Sequence, residues 1–395
     1  MEERKVKILL TSDWHTDAVN GVVTSMLALA QGLERRGHEV RLLTLSHGGF
    51  SFTDGNIYCQ ASHSCAFIYP KARFALHLDQ RLFGEIVAWK PDIVHSQCEF
   101  STFPMARRIA AATGAKLVHT FHTDYEHYVG YCHVPHFLAK AAARVIFRRA
   151  ARRADALVAP SVKTASLLPG YGIMKEAHVI ASGIQTGRFE ERPAEAQRAW
   201  LRHSYGIGDD DFVLLYLGRI AAEKGLDRLI EDIAPVKRQR LVLMIAGGGP
   251  WLEMLRQVVE KVRPEVRVIL TGMVDPGATH DIYHLADAFV MPSTSETQGL
   301  CLIEALASSL PVLCRRDKVL EGVVEDGLNG FVYDDGASFI RALYHLMDDR
   351  EDRLAMATSA GRTGMRYGEM AFAGRMEALY LSLLGRNAAS REVAV

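Results

Sequence analysis

The sequence lacks any close cysteine pair that would mark a metal site or a disulfide framework. Its six cysteines are scattered, and no two form a C-x-x-C pair: Cys59, Cys65, Cys98, Cys132, Cys301 and Cys314. This spacing excludes a disulfide-rich secreted domain and a zinc ribbon. It is typical of a protein that keeps its thiols reduced in the cytoplasm.

Long apolar runs are missing as well. No stretch approaches the length of a secretory signal or of a membrane-spanning helix. Residues 1–5 are mostly charged and run directly into the first predicted strand. We therefore expect a cytoplasmic protein whose contact with any membrane is peripheral.

Two motifs of common enzyme classes are also absent. The loop after the first predicted strand, 11–22, has no G-x-G-x-x-G fingerprint, which argues against a simple NAD-dependent dehydrogenase. No G-x-S-x-G motif occurs, so a hydrolase with a serine triad has no support. The loop does reach Gly21 at the start of a predicted helix, where backbone N–H groups can face a phosphate or a sugar hydroxyl.

Charge is balanced overall but not along the chain. The 395 residues include 46 Lys+Arg and 46 Asp+Glu, whereas residues 1–185 hold 21 basic and 15 acidic residues and 12 of the 16 histidines. A basic first half suggests an anionic partner, either a membrane surface or a phosphorylated ligand. Ordinary variation of surface charge explains the imbalance equally well.

Strand and helix patterns alternate through both halves of the chain, and its length suggests two domains. In the first half we predict strands at 6–11, 39–45, 92–95, 116–120, 156–159 and 177–180, and helices at 21–36, 73–90, 102–113, 135–153 and 162–168. In the second half we predict strands at 212–217, 241–246, 267–270, 288–291 and 311–314, with helices between them. This βα repeat predicts an α/β protein with two Rossmann-like, doubly wound domains and a central cleft at the strand carboxyl ends.

The predicted domain boundary follows Ile184. Residues 186–206 are polar and charged, as a linker would be, so we expect domains at 1–185 and 186–367. A last helix, 368–386, has no strand after it. We expect it to join the first domain, although no pattern in the sequence says where it packs.

The most informative motif combines two glutamates with a glycine turn. Glu296 precedes the turn at Gly299, and Glu304 lies in the helix that follows. A strand, a turn and a helix N-terminus form a natural anion site. Carboxylates on both sides suit a ligand with a phosphate core and hydroxyl groups at both ends, such as a nucleotide sugar.

A second motif lies after the strand 212–217. Arg219 and Lys224 flank a short loop, and both suit a diphosphate, because Arg offers a bidentate fork and Lys a point charge. Either residue alone would be an ordinary solvated charge. After the next strand comes a glycine run, 247–249, which we interpret as a tight turn rather than as a phosphate-binding loop.

Polar and aromatic residues are dense after the strand 116–120. His122 can donate a hydrogen bond to a sugar hydroxyl or handle a proton near neutral pH. His119 is still on the strand, so we interpret it as a packed core histidine. His122, Asp124 and His127 match no familiar zinc spacing, and we predict no metal centre.

The next predicted helix, 135–153, is strongly basic. Residues 140–153 carry six positive charges and no acidic residue. Basic residues recur every four positions and should line one face: Lys140, Arg144, Arg148 and Arg152. Such a helix can lie on an anionic bilayer, with its apolar residues largely away from that line. An ordinary surface helix fits equally well, whereas nucleic-acid binding has no accompanying motif.

In this order, the motifs resemble the retaining family-four glycosyltransferases of the GT-B fold. The glutamates look like that family's E-x7-E pair. The resemblance implies that Glu296 contacts hydroxyls of the transferred sugar and Glu304 contacts the ribose. The N–H groups around Gln298, Gly299 and Leu300 would then face the sugar and the phosphates.

The same resemblance assigns the other motifs. Arg219 and Lys224 would clamp the diphosphate, Gly21 would face the phosphate from the first domain, and His122 would lie beside the donor sugar. The base of the donor nucleotide would lie near Gly272, Met273 and Val274. With two cations at the diphosphate, no cofactor is expected, and a divalent metal should at most stimulate.

Two stretches are similar to bacterial diacylglycerol glycosyltransferases. One is the block 122–128 with the basic helix after it, and the other is 295–300. This resemblance implies transfer of a hexose, which we expect to be glucose, from a UDP-sugar to 1,2-diacylglycerol at the inner membrane face. The implied acceptor and membrane residues are Asp124, Tyr125, Lys140, Arg144, Arg148, Arg149 and Arg152.

The sequence departs from the usual family pattern in places. Cys301 stands where Thr or Val is commoner, Ser309 where Gly is usual, and 181–185 replaces the usual Pro-Thr-Gly-Ile-Asp. Other activities therefore stay open. They are a GDP-mannose-dependent phosphatidylinositol mannosyltransferase, a glycosyltransferase with a soluble acceptor, a nucleotide-sugar epimerase of similar architecture and a non-catalytic binding module.

Overall fold

The chain folds into two compact units. The computed structural model describes residues 5–66, 72–122 and 136–385, except the side chains of residues 136 and 138–140. Unit 1 comprises Met1–Gly183 and Glu369–Val395, and unit 2 comprises Ile184–Gly368. Each unit has an α/β architecture, and each is described in turn.

Unit 1 is built on an eight-stranded sheet. The strands of this unit are β1 (Lys7–Ser12), β2 (Glu39–Leu45), β3 (Phe52–Asp54), β4 (Ile57–Gln60), β5 (His63–Ser64), β6 (Arg73–Phe74), β7 (Ile93–Ser96), β8 (Lys116–Thr120), β9 (Ala156–Ala159) and β10 (Ala177–Val179). The order in the main sheet is β10-β9-β8-β7-β1-β2-β4-β3. Only β3 runs antiparallel to its neighbour in this sheet, while β5 and β6 form a separate antiparallel pair.

Helices cover this sheet. The first five are α1 (Gly21–Arg35), α2 (Gln80–Trp89), α3 (Thr102–Thr113), α4 (His136–Arg153) and α5 (Val162–Leu167). The side chain of Asn20 accepts a hydrogen bond from Val23 N at 3.0 Å and so caps the start of α1. The central strands are buried on both faces, as expected when helices cover both sides of a parallel sheet.

Unit 2 has a six-stranded, fully parallel sheet. Its strands are β11 (Phe212–Leu217), β12 (Leu241–Ala246), β13 (Arg267–Gly272), β14 (Ala288–Met291), β15 (Val312–Arg315) and β16 (Gly330–Tyr333), in the order β13-β12-β11-β14-β15-β16. Its helices are α6 (Gly187–Glu190), α7 (Glu195–Ser204), α8 (Leu226–Ile233), α9 (Leu252–Val262), α10 (Thr279–Leu285), α11 (Leu300–Ala307), α12 (Gly336–Asp348) and α13 (Arg350–Met365). Because all six strands are parallel, the loops after their carboxyl ends lie along one edge of the sheet.

The last helix, α14 (Glu369–Leu383), belongs to unit 1 and packs on α1. The two helices approach so closely that a Cβ atom on Gly32 would lie 2.4 Å from the carbonyl oxygen of Glu369. His38 Nε2 lies 2.8 Å from Glu377 Oε1, and His95 Nδ1 lies 2.7 Å from Tyr380 Oη. α14 thus completes the hydrophobic core to which β1 and α1 also contribute.

Two predictions about local structure are wrong. The predicted helix 73–90 begins only at Gln80, because the side chain of Asp79 caps the backbone N–H groups of Arg81 and Leu82. Residues before it form β6 and a loop. The predicted linker 186–206 is largely helical, as α6 and α7. Its Arg202 is buried and donates to the carbonyl oxygen of Leu285 at 2.8 Å, so polar composition was a poor guide there.

Among the helices that the structure describes, none is both long enough and apolar enough to cross a membrane.

Candidate functional site

Two loops of unit 2 bring the predicted donor residues together. The loop 218–225 follows β11 and the loop 292–299 follows β14, and these two strands are neighbours in the sheet. Ser295 Oγ donates to the carbonyl oxygen of Glu223 at 3.0 Å and links the loops directly. A Cβ atom on Gly225 would lie 3.2 Å from Pro292 O, so the loops also touch through their backbones. Strands far apart in sequence therefore supply one continuous site.

Both predicted clamp cations have carboxylate partners in this site. Lys224 Nζ lies 2.6 Å from Glu296 Oε1, and their side chains are only 14% and 20% exposed. Arg219 forms a salt bridge with Glu223 four residues later. Ion pairs that are shielded from water keep long side chains in fixed positions, so the cations are held ready rather than dispersed in solvent.

A glycine determines where the helix beside the Lys224–Glu296 pair begins. Gly299 has a φ angle of 78°, in the left-handed region, and immediately precedes Leu300, the first residue of α11. Gln298 is buried at 6% exposure. The N-terminus of α11 consequently begins next to Glu296, where its first N–H groups favour a negatively charged ligand.

Glu304 is half-buried in α11 and has a tyrosine partner. The Tyr283 hydroxyl lies 2.7 Å from Glu304 Oε2 and 3.1 Å from the carbonyl oxygen of Cys301. Burial raises the pKa of Glu304 to about 7, although the hydrogen bond from Tyr283 opposes that rise. Since the hydroxyl has one hydrogen, a protonated Glu304 can donate to Tyr283 while Tyr283 donates to Cys301. Glu304 can therefore accept or donate near neutral pH.

The glycine run after β12 supports the neighbouring loop. A Cβ atom on Gly247 would lie 2.0 Å from Gly218 O, and one on Gly249 would lie 2.1 Å from Ile220 O. The backbone of Ile220 also donates to Gly248 O at 2.8 Å. These contacts favour the interpretation of the run as a tight structural turn. Because its glycines have no side chains, the loop that bears Arg219 can lie directly on it.

The predicted base-contact residues begin with Gly272, the last residue of β13, at the same edge of the sheet. Gly272 has a φ angle of 73°, and the Met273 side chain is 68% exposed. Val274 packs partly against the core of unit 2. Met273 therefore offers an exposed apolar surface at this edge.

In unit 1, His122 lies just after β8 and is held by Gln97. His122 Nε2 is 2.7 Å from Gln97 Oε1, and because an amide oxygen can only accept, the imidazole carries its hydrogen on Nε2. Burial lowers the pKa of His122 to about 3, and His119 adds to the effect. The imidazole is therefore neutral at physiological pH and can offer Nδ1 as an acceptor.

Other polar side chains are buried around His122. His95 contacts Thr120 Oγ1 at 2.7 Å, and burial lowers its pKa well below the usual value. His119 is fully buried between Phe103 and Phe121, which confirms its interpretation as a core histidine. These neighbours fix the end of β8 and hence the position of His122.

The loop after β1 begins with another buried carboxyl group. Asp13 Oδ1 accepts a hydrogen bond from Thr102 N at 2.7 Å, which ties the loop to the start of α3. Burial raises the pKa of Asp13 to about 6. The loop leads to Gly21, the first residue of α1, which is exposed.

The basic helix α4 differs from the expected arrangement. Its buried face carries Phe147, Ala150 and Ala151, whereas Phe137 and Val145 are 71% and 48% exposed. Exposed arginines occupy the same outer face: Arg144, Arg148, Arg149 and Arg152. The expectation that the apolar residues lie away from the basic line is therefore wrong for Phe137 and Val145, because Phe147, Ala150 and Ala151 fill the inner face instead.

The predicted membrane residues are not equivalent. Arg148 Nε donates to the carbonyl oxygen of Tyr171 at 3.0 Å, so this guanidinium packs on its own unit. Asp124, Tyr125 and the side chain of Lys140 lie outside the described residues.

Sequence reasoning missed several residues of the site. Glu223 and Tyr283 contact predicted site residues, as does Gln97 in unit 1, and Ser295 bonds to Glu223. Glu223 stands four residues after Arg219, which is a detectable helical spacing. Tyr283 gave no signal, because its approach to Glu304 depends on the packing of α10 against α11.

Two family profiles together match most of the chain. The profile described as Glycosyl transferases group 1 matches residues 197–363, and that of Glycosyltransferase Family 4 matches residues 19–188. The first covers the glutamate pair and the clamp cations, and the second covers Gly21 and His122.

Relatives of known description are similar over most of their length. The alpha-monoglucosyldiacylglycerol synthase of Streptococcus pneumoniae is 31% identical over 358 residues, covering 89% of this chain and 81% of the relative. The enzyme of the same description from Acholeplasma laidlawii is 27% identical, covering 97% and 98%. A GDP-mannose-dependent alpha-(1-6)-phosphatidylinositol monomannoside mannosyltransferase of Mycobacterium tuberculosis is 30% identical, covering 61% and 63%.

Solved structures share the fold. Anabaena HepE in complex with UDP and glucose has a TM-score of 0.74 at 17% identity, covering 95% of this chain and all of that one. Sucrose-phosphate synthase from Thermosynechococcus elongatus has a TM-score of 0.73 at 18% identity, covering 97% of this chain and all of that one. At these identities the likeness shows the architecture alone.

Proposed function

This chain belongs to the group 1 glycosyltransferases of the GT-B fold, and we propose that it transfers glucose from UDP-glucose to 1,2-diacylglycerol with retention of configuration. The observation that carries the donor proposal is the Lys224–Glu296 pair, with Nζ and Oε1 2.6 Å apart. A cation and a carboxylate fixed side by side suit the junction between a diphosphate and a sugar hydroxyl.

The leaving group is stabilised by positive charge. As the bond from the sugar to the diphosphate breaks, negative charge grows on the phosphate oxygens. Arg219, Lys224 and the start of α11 face that charge and lower the barrier, because they are already held in place. In this proposal Arg219 and Lys224 neutralise the negative charge of the diphosphate, so the transfer requires no metal ion.

Retention follows from attack on the face that the leaving group vacates. The acceptor hydroxyl then forms its bond to the anomeric carbon on the same side, and the departing phosphate oxygen takes the acceptor proton. No protein nucleophile is required. His122 is neutral and hydrogen-bonded to Gln97, which suits it to orient a sugar hydroxyl rather than to attack.

Glu304 and the residues after β13 complete the donor assignment. Glu304 is proposed to bind the ribose hydroxyls, and its hydrogen bond with Tyr283 fixes the carboxyl group for that role. Gly272, Met273 and Val274 are proposed to contact the base. Structures of similar fold have been solved in complex with UDP, which supports a uridine nucleotide as the donor.

The lipid acceptor rests on two further observations. Two relatives that align with most of this chain are described as alpha-monoglucosyldiacylglycerol synthases. In α4, exposed arginines stand beside the exposed Phe137 and Val145. Cations with interspersed apolar side chains suit an anionic membrane surface, so we place the enzyme peripherally on the inner face of the cell membrane.

A matrix of donors and acceptors tests this proposal. Purified full-length protein is incubated with UDP-glucose, UDP-galactose or GDP-mannose and vesicles that contain diacylglycerol and anionic phospholipid. We expect glucosyl-diacylglycerol with an α-linkage, established by NMR of the product. Preferred use of another donor would overturn the assignment of UDP-glucose, and an inverted linkage would overturn retention. Equal turnover of a soluble acceptor without vesicles would overturn the lipid acceptor.

One alternative has specific support. The mycobacterial mannosyltransferase is 30% identical over 253 residues, so a GDP-mannose donor with a phosphatidylinositol acceptor is the second candidate. Replacing diacylglycerol with phosphatidylinositol in the GDP-mannose reaction distinguishes the two.

A further inference from the structure

A cluster of side chains in unit 1 includes none of the residues assigned above. His15 and Asp17 follow β1, and His47 follows β2. One ligand-type atom of each residue lies within 4.8 Å of the others. We propose that these three side chains bind a divalent transition-metal ion, with Zn²⁺ as the best match, and that the ion joins the two loops.

The sheet explains why these residues meet. β1 and β2 are parallel neighbours, with Ser12 opposite Thr44, so the loops after both strands emerge side by side. β4 is the next strand, and its Cys59 is opposite Thr44. The sequence predicted no metal centre because His15 and His47 are too far apart for a short metal motif. Only the strand order brings them together.

Distances within the cluster fit shared coordination. His15 Nδ1 lies 2.9 Å from Asp17 Oδ1, and His47 Nε2 lies 2.9 Å from both oxygens of Asp17. Imidazole nitrogen and carboxylate oxygen bind zinc at about 2.0–2.2 Å, so adjacent ligands of one ion stand roughly 3 Å apart. Small rotations of the exposed Asp17 and His47 would therefore suffice to admit the ion.

The histidine nearest the core is already oriented. While Nδ1 of His15 faces Asp17, its Nε2 lies 3.8 Å from Cys59 Sγ. A metal-binding histidine commonly donates its second N–H to a neighbouring group, which fixes the ring and its tautomer. The His15 side chain is 21% exposed, against 62% for Asp17 and 63% for His47. Water can thus complete the coordination from the open side.

Simple ion pairing is the competing explanation. Exposed histidine–carboxylate pairs occur elsewhere, as between His345 and Asp352 at 2.5 Å. That pair offers one imidazole, whereas the His15 cluster offers two around one carboxylate. Within the described parts of the chain, no second group of three such side chains brings its ligand atoms as close. Two nitrogens and one oxygen are a recognised donor set for zinc and related ions.

Binding is tested on the full-length protein after treatment with a chelator and buffer exchange. Zn²⁺ is titrated by calorimetry, and Co²⁺ is followed by visible absorption, which reports nitrogen and oxygen coordination directly. We expect one site per chain in the wild type, with Zn²⁺ displacing Co²⁺. Asp17→Asn and His47→Gln should each weaken that site at least tenfold, and Cys59→Ala should weaken it by about tenfold.

The matched control is His345→Gln, which removes an exposed histidine of a pair in unit 2. It should bind the ion as the wild type does, and circular dichroism checks that all variants are folded. Loss of the site in Asp17→Asn and His47→Gln but not in the control supports the proposal. A wild type without a stoichiometric site, or equal binding by all variants, overturns it. These readouts are independent of glycosyl transfer.

Discussion

Lys224 and Glu296 come from loops after two neighbouring strands, and their side chains form an ion pair of 2.6 Å with little exposure to solvent. We expect Lys224→Ala to reduce kcat/KM for the nucleotide sugar by at least about 100-fold, because it removes a fixed cation from the developing charge. Initial rates across donor concentrations measure this. The control is Arg238→Ala, which breaks an exposed pair with Asp348 and should leave the rate unchanged.

Glu296 offers a second test of the same site. Glu296→Gln keeps the shape of the side chain but removes its charge, and we expect a similar loss of turnover with little change in the folded structure. The double variant should lose less than the sum of the two single free-energy changes, because the residues interact. Wild-type turnover in either single variant would contradict the donor assignment.

Donor affinity should depend on the protonation of Glu304. Its pKa is raised to about 7 by burial, so the carboxylate that accepts ribose hydroxyls forms as the pH rises through that value. We expect UDP to bind more tightly above about pH 7, as measured by calorimetry. Tyr283→Phe removes a hydrogen bond that lowers the pKa, so the transition should move to higher pH. Tyr344→Phe is the control, and an unchanged profile in Tyr283→Phe would contradict the coupling.

His122 should make unit 1 sensitive to acid. Its folded pKa of about 3 lies below the ordinary value of 6.5, so the unfolded chain binds the proton first as the pH falls. The resulting stability is present above about pH 6.5 and is lost as the pH decreases towards about 3. Urea unfolding should show a smaller acid loss in His122→Asn, by about 1–3 kcal/mol. His178→Asn, at an exposed site, should follow the wild type.

The turn after β12 should tolerate no side chain. Gly247→Ala would place a methyl group 2.0 Å from Gly218 O and so force the loop bearing Arg219 to move. We expect a loss of more than about 3 kcal/mol in the free energy of unfolding, together with reduced activity. Gly187→Ala, where no atom lies within 4 Å, is the matched control. Equal stability of the two variants would contradict the close contact.

Membrane attachment should depend on three arginines of α4. We expect Arg144, Arg149 and Arg152 changed together to Gln to weaken binding to anionic vesicles by about 3 kcal/mol, on the order of 100-fold. Arg148 is retained, because its guanidinium bonds to the backbone of Tyr171.

Co-sedimentation with vesicles measures this binding. The control changes three exposed arginines of unit 2 to Gln: Arg240, Arg256 and Arg341. If both triple variants lose the same affinity, the attraction reflects total charge rather than α4.

The sequence predicted the central strands well because their signal is local. β2, β8 and β9 begin and end at the predicted residues, since continuous apolar runs bounded by polar residues mark strands buried on both faces. The short strands β3 to β6 were missed. β3, β5 and β6 are largely exposed, as in Phe52–Asp54, so no buried run marks them. β4 is buried, but its four residues are too few to show a pattern.

The candidate site was predictable only in part. Glu296, Arg219 and Lys224 carry types and spacings that point to a diphosphate, and their strands proved to be neighbours. Tyr283 depends instead on how α10 packs against α11, and Gln97 depends on the pairing of β7 with β8. Contacts of this kind follow from tertiary packing, which a local pattern does not encode.

The return of α14 to unit 1 has a consequence for biosynthesis. The ribosome makes β1 and α1 before unit 2, but it makes Tyr380, the partner of His95, only after all of unit 2. Unit 2 can therefore complete its core while unit 1 still exposes the apolar surface that α14 will cover. A premature stop before Glu369 would leave unit 2 complete, whereas unit 1, although translated up to Gly183, would keep that apolar surface exposed to solvent.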